Sequence, residues 1–437
     1  DTFASNNSHS EEFQCLAGNH IQQGNMFGMM VMGDISNYSN LEQHRIIYES
    51  LVKLTLHEVG HTLGLSHNFY SSKLHSFKNI HYRHITEPVG LTSSVMDYVS
   101  ANIGVNSKNH GQFYTTTPGP YDIWAIEFGY APELLNPEDE KSRVENLLNK
   151  SVKNEYRYGN DADDMRSAGK AIDPRIMISD MSNDPVAYAQ QRMDIIRATY
   201  PTLKDKFEIP GESYHGLRDA FSVLNSEYSN CTRIISRYVG GVFIDRSMVG
   251  QQGKEEPFAS VPRQDQKWAM TLMTKYAFAP DAFQIPSDIY SHLQKERRGW
   301  SGTKDPNILG MFLNIQKDLL SHLLHVNVLN RISNTQLYGN NYSASEMLTD
   351  LTNACFSADA GTNVSLMRIN LQTEYTKRLI SIVHNKGKVK FDHISVALAF
   401  NNLNKIKKYA SKTSGTNDQT RAHRKHLIYI VEKALDT

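Results

Sequence analysis

Three imidazoles, one carboxylate and a well-placed glycine fall within the eleven residues His57-Glu58-Val59-Gly60-His61-Thr62-Leu63-Gly64-Leu65-Ser66-His67, and their spacing dictates how this stretch folds. His57 and His61 stand four apart, so on a helix of about 3.6 residues per turn they project from one face and can share one cation. Gly64 falls where that helix must end, since glycine tolerates the left-handed backbone that turns a chain back on itself. His67 then reaches the same cation from outside the helix. Three protein nitrogens leave a fourth position for water, which separates a catalytic zinc from a closed structural one. Glu58, one step round from His57, points towards that water and fits a general base. Zinc lowers the pKa of its water to about 7, so the pattern predicts hydrolysis at neutral pH.

A second element agrees with the first. Met96 follows His67 by 29 residues, and Ser94-Val95-Met96-Asp97-Tyr98 has the form of the methionine turn that underlies the three histidines of metzincin peptidases. Tyr98 sits where the astacins and serralysins carry a tyrosine near the zinc, which makes it a candidate oxyanion stabiliser. The run from His57 to Phe69, the Ser94–Tyr98 turn, and Gly119-Pro120-Tyr121-Asp122-Ile123-Trp124-Ala125-Ile126-Glu127-Phe128-Gly129-Tyr130 together resemble the bacterial Met-zincin family of zinc-dependent metalloproteases. Tyr156-Arg157-Tyr158, Asp173-Pro174, Tyr238-Val239-Gly240-Gly241-Val242 and Leu371-Gln372-Thr373-Glu374-Tyr375 resemble that family's long carboxyl-terminal region, so the likeness covers most of the chain from about residue 11. It implies one Zn2+ held by His57, His61 and His67, Glu58 as the catalytic glutamate, Gly64 and Met96 as structural support, and a peptide or protein substrate.

Metzincins resemble one another in a twisted sheet ahead of the active-site helix, whose edge strand pairs with an extended peptide. Only 56 residues precede His57. Among them Phe13, Leu16, Ala17 and Ile21 recur at helical spacing, and Met26 to Met32 is an apolar run of undecided type. Asn40 is the predicted cap of the next helix, with Leu41, Ile46, Ile47, Leu51, Leu54 and Leu56 leading into the histidines. Several strands do not fit. The expectation is a carboxyl-terminal piece of a longer protein, whose catalytic region has little or no sheet of its own.

The 437 residues provide for two or three domains, and 46 basic against 46 acidic side chains offer no electrostatic case for nucleic acid or an anionic membrane surface as partner. No run of 18 apolar residues spans a bilayer and no leader opens the sequence, while the resemblance to exported proteins suggests a periplasmic or secreted location. Cys15, Cys231 and Cys355 are too few and too scattered for a disulfide framework or a thiolate zinc site. Residues 1–132 read as the catalytic region, 133–174 as a polar connector, and 175–437 as a helical domain. Within the first, Tyr70 to Ser94 reads as a loop over the cleft, whose His75, His81 and His84 are exposed rather than substrate-binding. Within the connector, Asp161, Asp163 and Asp164 lack calcium-loop spacing and read as solvated acids.

Helical periodicity marks Ala187–Tyr200, Leu217–Val239, Trp268–Phe278, Leu309–Leu329, Ala344–Cys355, Leu366–Val383 and His423–Leu435. Val242-Phe243-Ile244 and Phe258-Ala259-Ser260-Val261 are the predicted ribbon, and His322 and His325 read as packing or surface residues. The predicted fold is therefore mainly α. The predicted activity is a zinc endopeptidase. Two alternatives stay open: a zinc-stabilised binding or scaffold protein, and a fragment inactive without its upstream sheet. Substrate preference and oligomeric state have no signal in the sequence.

Overall fold

The computed structural model describes residues 16–32, 39–105, 110–253, 255–295, 306–412 and 416–436. Phe13 and Cys15 lie outside them. The chain divides into two compact units, one of residues 1–148, 154–158 and 178–183 and the other of 149–153, 159–177 and 184–437. The architecture is mainly α, and among the described residues the regular strands are a single antiparallel pair.

In the first unit α1 runs Ala17–Val31 and α2 Asn40–Thr62, so the undecided Met26–Met32 run continues a helix. Ser39 caps α2, its Oγ accepting the Glu42 N–H at 3.4 Å; Asn40, the predicted cap, is instead the first helical residue. The buried face of α2 is largely polar. Ile46, Glu49, Ser50, Lys53, His57 and Gly60 face inward, whereas Leu41 is 77% and Leu51 60% exposed. The reason is what lies against the helix. Residues 90–104 and 110–115 are almost wholly buried yet form no helix and no extended strand, so their peptide groups need partners from side chains. The polar face of α2 supplies them: Glu49 accepts from the N–H groups of Phe113 (2.6 Å) and Tyr114 (3.1 Å), and Lys53 and His57 both donate to the Val95 carbonyl.

Residues 70–94 fold into two 3-10 turns and α3 (Arg83–Val89) rather than an open loop. His75 is buried and donates from Nε2 to the Gly90 carbonyl at 2.8 Å, which corrects its reading as an exposed histidine; His84 is exposed. Lys73 is buried in an ion pair with Asp180. Two further helices, α4 (Pro120–Tyr130) and α5 (Pro137–Leu148), complete the unit.

The second unit contains helices over Pro185–Thr199, His215–Ser236, Arg263–Met273, Ile308–Leu323, Val326–Thr335, Ala344–Phe356, Leu366–His384, His393–Ala410 and Asp418–Leu435. Periodicity had pointed to all but one of these places. Leu309–Leu329 is broken at His325, whose ring caps the following helix by accepting the Asn327 N–H. His393–Ala410 went unpredicted because Ser395 and Asn402 are buried while Ile394 and Phe400 are exposed, which blurs its apolar stripe. It packs against helices 344–356, 366–384 and 418–435. The ribbon forms as predicted, β1 (Val242–Ile244) pairing with β2 (Phe258–Ser260) in the register Val242 to Ser260. Asp164 is buried against Arg237, not solvated as expected. No helix among the described residues is long and apolar enough to cross a membrane.

Buried histidines give this unit an acid sensitivity. Burial, with Arg237 and Arg331 nearby, pushes His322 down to about 3, and burial pushes His423 down to about 4. Both values lie below the unfolded one, so the unfolded chain takes up protons first as pH falls. Their contribution is complete above about 6.5 and is lost between there and 3 to 4, at roughly 1.4 kcal/mol per pH unit for each ring. Tm is expected to fall measurably from pH 7 to pH 5, with a shallower slope in His322→Gln. Parallel slopes for the parent and the variant would refute the assignment.

Candidate metal centre

The C-terminus of α2 builds the site. Gly64 takes φ +84°, its N–H donates to the His61 carbonyl (3.0 Å), and the Leu65 N–H donates to the Gly60 carbonyl (3.0 Å). This paired closure satisfies two orphan carbonyls of the last turn and reverses the chain. It also brings the Leu65 carbonyl under His61, whose Nδ1 donates to it at 3.0 Å. His67 follows and stands beside the other two rings, with centroids 5.5 Å from His57 and 4.9 Å from His61. One ligand atom from each of the three histidines lies within 4.8 Å of the others, and the sequence-predicted triad is thus assembled.

The hydrogen bonds of His57 and His61 decide which nitrogens are available. In each ring Nδ1 is the donor to a carbonyl, Val95 at 2.8 Å for His57, which leaves Nε2 as a lone pair. Both Nε2 atoms are buried without a hydrogen-bond partner. Burial, reinforced by Lys53, pushes His57 down to about 3, so the ring is neutral at physiological pH. Two converging, unpartnered imidazole lone pairs are what a borderline-soft cation such as zinc requires, and the oriented Nδ1–H groups match the usual support of metal-bound histidine. The residues present therefore fit a zinc ion.

Met96 is fully buried beneath this helix. A Cβ on Gly60 would stand 2.4 Å from its sulfur, so Gly60, between the two helical histidines, is the residue that lets the methionine approach. Tyr98 is buried with its ring 4.7 Å from that of His67, and its hydroxyl is 2.8 Å from His67 Nε2 and accepts the Leu16 N–H at 3.0 Å. Glu58 is on the exposed side of α2, next to His57 in sequence.

Sequence reasoning assigned no role to Gly60, Lys53, Ser94 or Asp122, all of which shape this site. Asp122 carried a readable signal: an acid at the third helical position behind Gly119-Pro120 is a helix-start pattern, and its carboxylate does accept the Gly119 N–H at 2.9 Å. Burial raises the pKa of this carboxyl, while bonds from Ser94, Gly119 and Val95 oppose the rise.

A family profile described as Met-zincin matches residues 39–363, beginning at the residue that caps α2. The chain belongs to the Met-zincin family. Membership of this family points to zinc metalloprotease activity, with a zinc cofactor and a peptide or protein substrate, and the histidine triad of this Met-zincin chain is the place in its structure where such an ion can be held. No curated protein and no solved structure matches the chain.

Proposed function

We propose that this Met-zincin is a zinc endopeptidase in which His57, His61 and His67 hold the metal and Glu58 is the general base. The observation that carries the reading is the pair of buried, unpartnered Nε2 atoms on His57 and His61, turned towards one point beside His67. Zinc bound there supplies Lewis acidity that polarises a peptide carbonyl and acidifies water. Glu58, on the solvent side of the helix, takes the proton of the attacking water and passes it to the leaving amine. The Tyr98 hydroxyl, 2.8 Å from His67 Nε2, would serve as a hydrogen-bond donor to the developing oxyanion. Met96 and Gly64 fix the triad from below and behind.

The test is metal removal and restoration. The purified chain is expected to carry one zinc per molecule, to lose cleavage of a peptide library on treatment with a chelator, and to regain it with one equivalent of Zn2+. Stoichiometric zinc with no cleavage of any peptide would overturn the peptidase reading in favour of a zinc-stabilised scaffold.

A further inference from the structure

Val95 contributes its carbonyl to His57, and the same peptide unit is gripped from its other side. The Met96 N–H, which shares a peptide plane with the Val95 carbonyl, donates to Ser94 Oγ at 3.0 Å. Ser94 Oγ–H in turn donates to Asp122 Oδ1 at 2.6 Å. The other carboxylate oxygen of Asp122 accepts the N–H groups of Val95 (2.8 Å) and Gly119 (2.9 Å). Ser94 and Asp122 are buried, and all three of these bonds make the carboxylate an acceptor. The donors therefore run in one direction: His57 Nδ1–H to the Val95 carbonyl, across the peptide to the Met96 N–H, to the Ser94 hydroxyl, to Asp122. Hydrogen bonds aligned head to tail polarise one another, and in low dielectric the effect is larger than in water.

We propose that Asp122 is a positioning residue for the metal centre, acting on His57 through the Ser94 hydroxyl and the Val95–Met96 peptide. The arrangement is a carboxylate–histidine pairing with a peptide and a hydroxyl inserted between the partners. A carboxylate that hydrogen-bonds a ligating histidine directly fixes its tautomer and raises its basicity, and its loss typically weakens metal affinity by about ten- to a hundredfold. Here the same influence reaches His57 from a residue on α4, 65 positions along the chain. The inference rests on the reading of His57 as a zinc ligand.

Two variants separate this role from a merely structural one. Asp122→Asn keeps the side chain's shape, and its amide oxygen still accepts from Val95 and Gly119, but its NH2 must donate to Ser94 and so reverses the chain at that link. Ser94→Ala removes the link while leaving both N–H contacts to Asp122. Zinc affinity, read by competition with a chromophoric chelator, is expected to weaken roughly ten- to a hundredfold in both variants, with the metal-free Tm of Asp122→Asn within a few degrees of the parent. If Asp122 only clamps the turn, Asp122→Asn binds zinc as the parent does, and that result overturns the proposal. Should a variant fail to fold, imidazole nitrogen NMR on the metal-free parent still decides: the proposal requires the His57 proton on Nδ1, and a proton on Nε2 sinks it. A parent that binds zinc tightly but cleaves nothing refutes the peptidase reading and leaves this proposal standing, while a parent that binds no zinc overturns both.

Discussion

Glu58→Gln is expected to lower kcat/KM for peptide cleavage by about a hundredfold to ten-thousandfold, the range contributed by a positioned general acid or base. That corresponds to roughly 3 to 5 kcal/mol of lost transition-state stabilisation. Zinc content is expected to be unchanged, because the carboxylate stands outside the set of converging nitrogens and α2 is held by other residues. Glu58 is exposed, so glutamine at this position removes a base without opening a cavity. The contrast with His57→Ala is part of the prediction: there both zinc and activity are lost, and the Val95 carbonyl loses one of its two donors. Turnover assays and elemental analysis on the same preparations read both quantities. Parental turnover in Glu58→Gln would show that another group moves the proton.

How much of this was legible beforehand differs between site and fold. The triad was readable because its spacing is local: four residues on a helix, then a glycine that reverses the chain, need no knowledge of distant contacts. What the sequence hid is what holds the triad from outside. Asp122 and Ser94 reach His57 only through a peptide group, and no periodicity marks a residue whose work is to accept a hydrogen bond from a buried turn. The buried face of α2 was hidden for a related reason. Hydrophobic periodicity assumes an apolar neighbour, but α2 packs on irregular backbone, so Glu49, Lys53 and His57 are buried to satisfy it while Leu41 and Leu51 are left outside. In the helical unit the stripes were mostly sound. They failed at His393–Ala410, where Asn402 is buried because its amide oxygen accepts from Thr352 Oγ1 at 2.9 Å.

Several of the carboxyl-terminal segments singled out in the sequence make polar packing contacts in the second unit. Asp173 binds Arg175 and accepts the Ile244 N–H, the Gly240 carbonyl accepts from Arg331, and the Tyr375 hydroxyl is 2.7 Å from Thr352 Oγ1. Each closes a backbone or polar group inside the second unit. Gln372 is buried and donates to the Cys355 carbonyl (3.0 Å) and to Asp359 (2.8 Å), while its Oε1 lies 2.9 Å from His423 Nε2.

Arg368→Met is expected to be the most damaging single change in the helical unit. The guanidinium is 1% exposed and donates to the carbonyls of Phe278, Ala354 (3.0 Å) and Cys355 (2.5 Å) and to the Asp359 carboxylate (2.7 Å). Phe278 ends one helical segment and Ala354 and Cys355 lie in the last turn of another, so these are carbonyls that a helix cannot satisfy by itself. Methionine fills much of the volume but leaves Asp359 as a buried charge without its cation. Breaking a buried pair in this way typically costs about 3 to 5 kcal/mol, which in a unit of this size lowers Tm by on the order of 10 °C. Arg368→Lys is expected to recover little, since an ammonium cannot reproduce the planar fork that serves separate carbonyls and a carboxylate together. Adding Asp359→Asn to Arg368→Met removes the stranded charge and is expected to restore part of the loss. Thermal unfolding of the three variants tests the assignment: a Tm for Arg368→Met within about 2 °C of the parent, or no recovery in the double variant, would show that the carboxylate and the helix-end carbonyls find other partners.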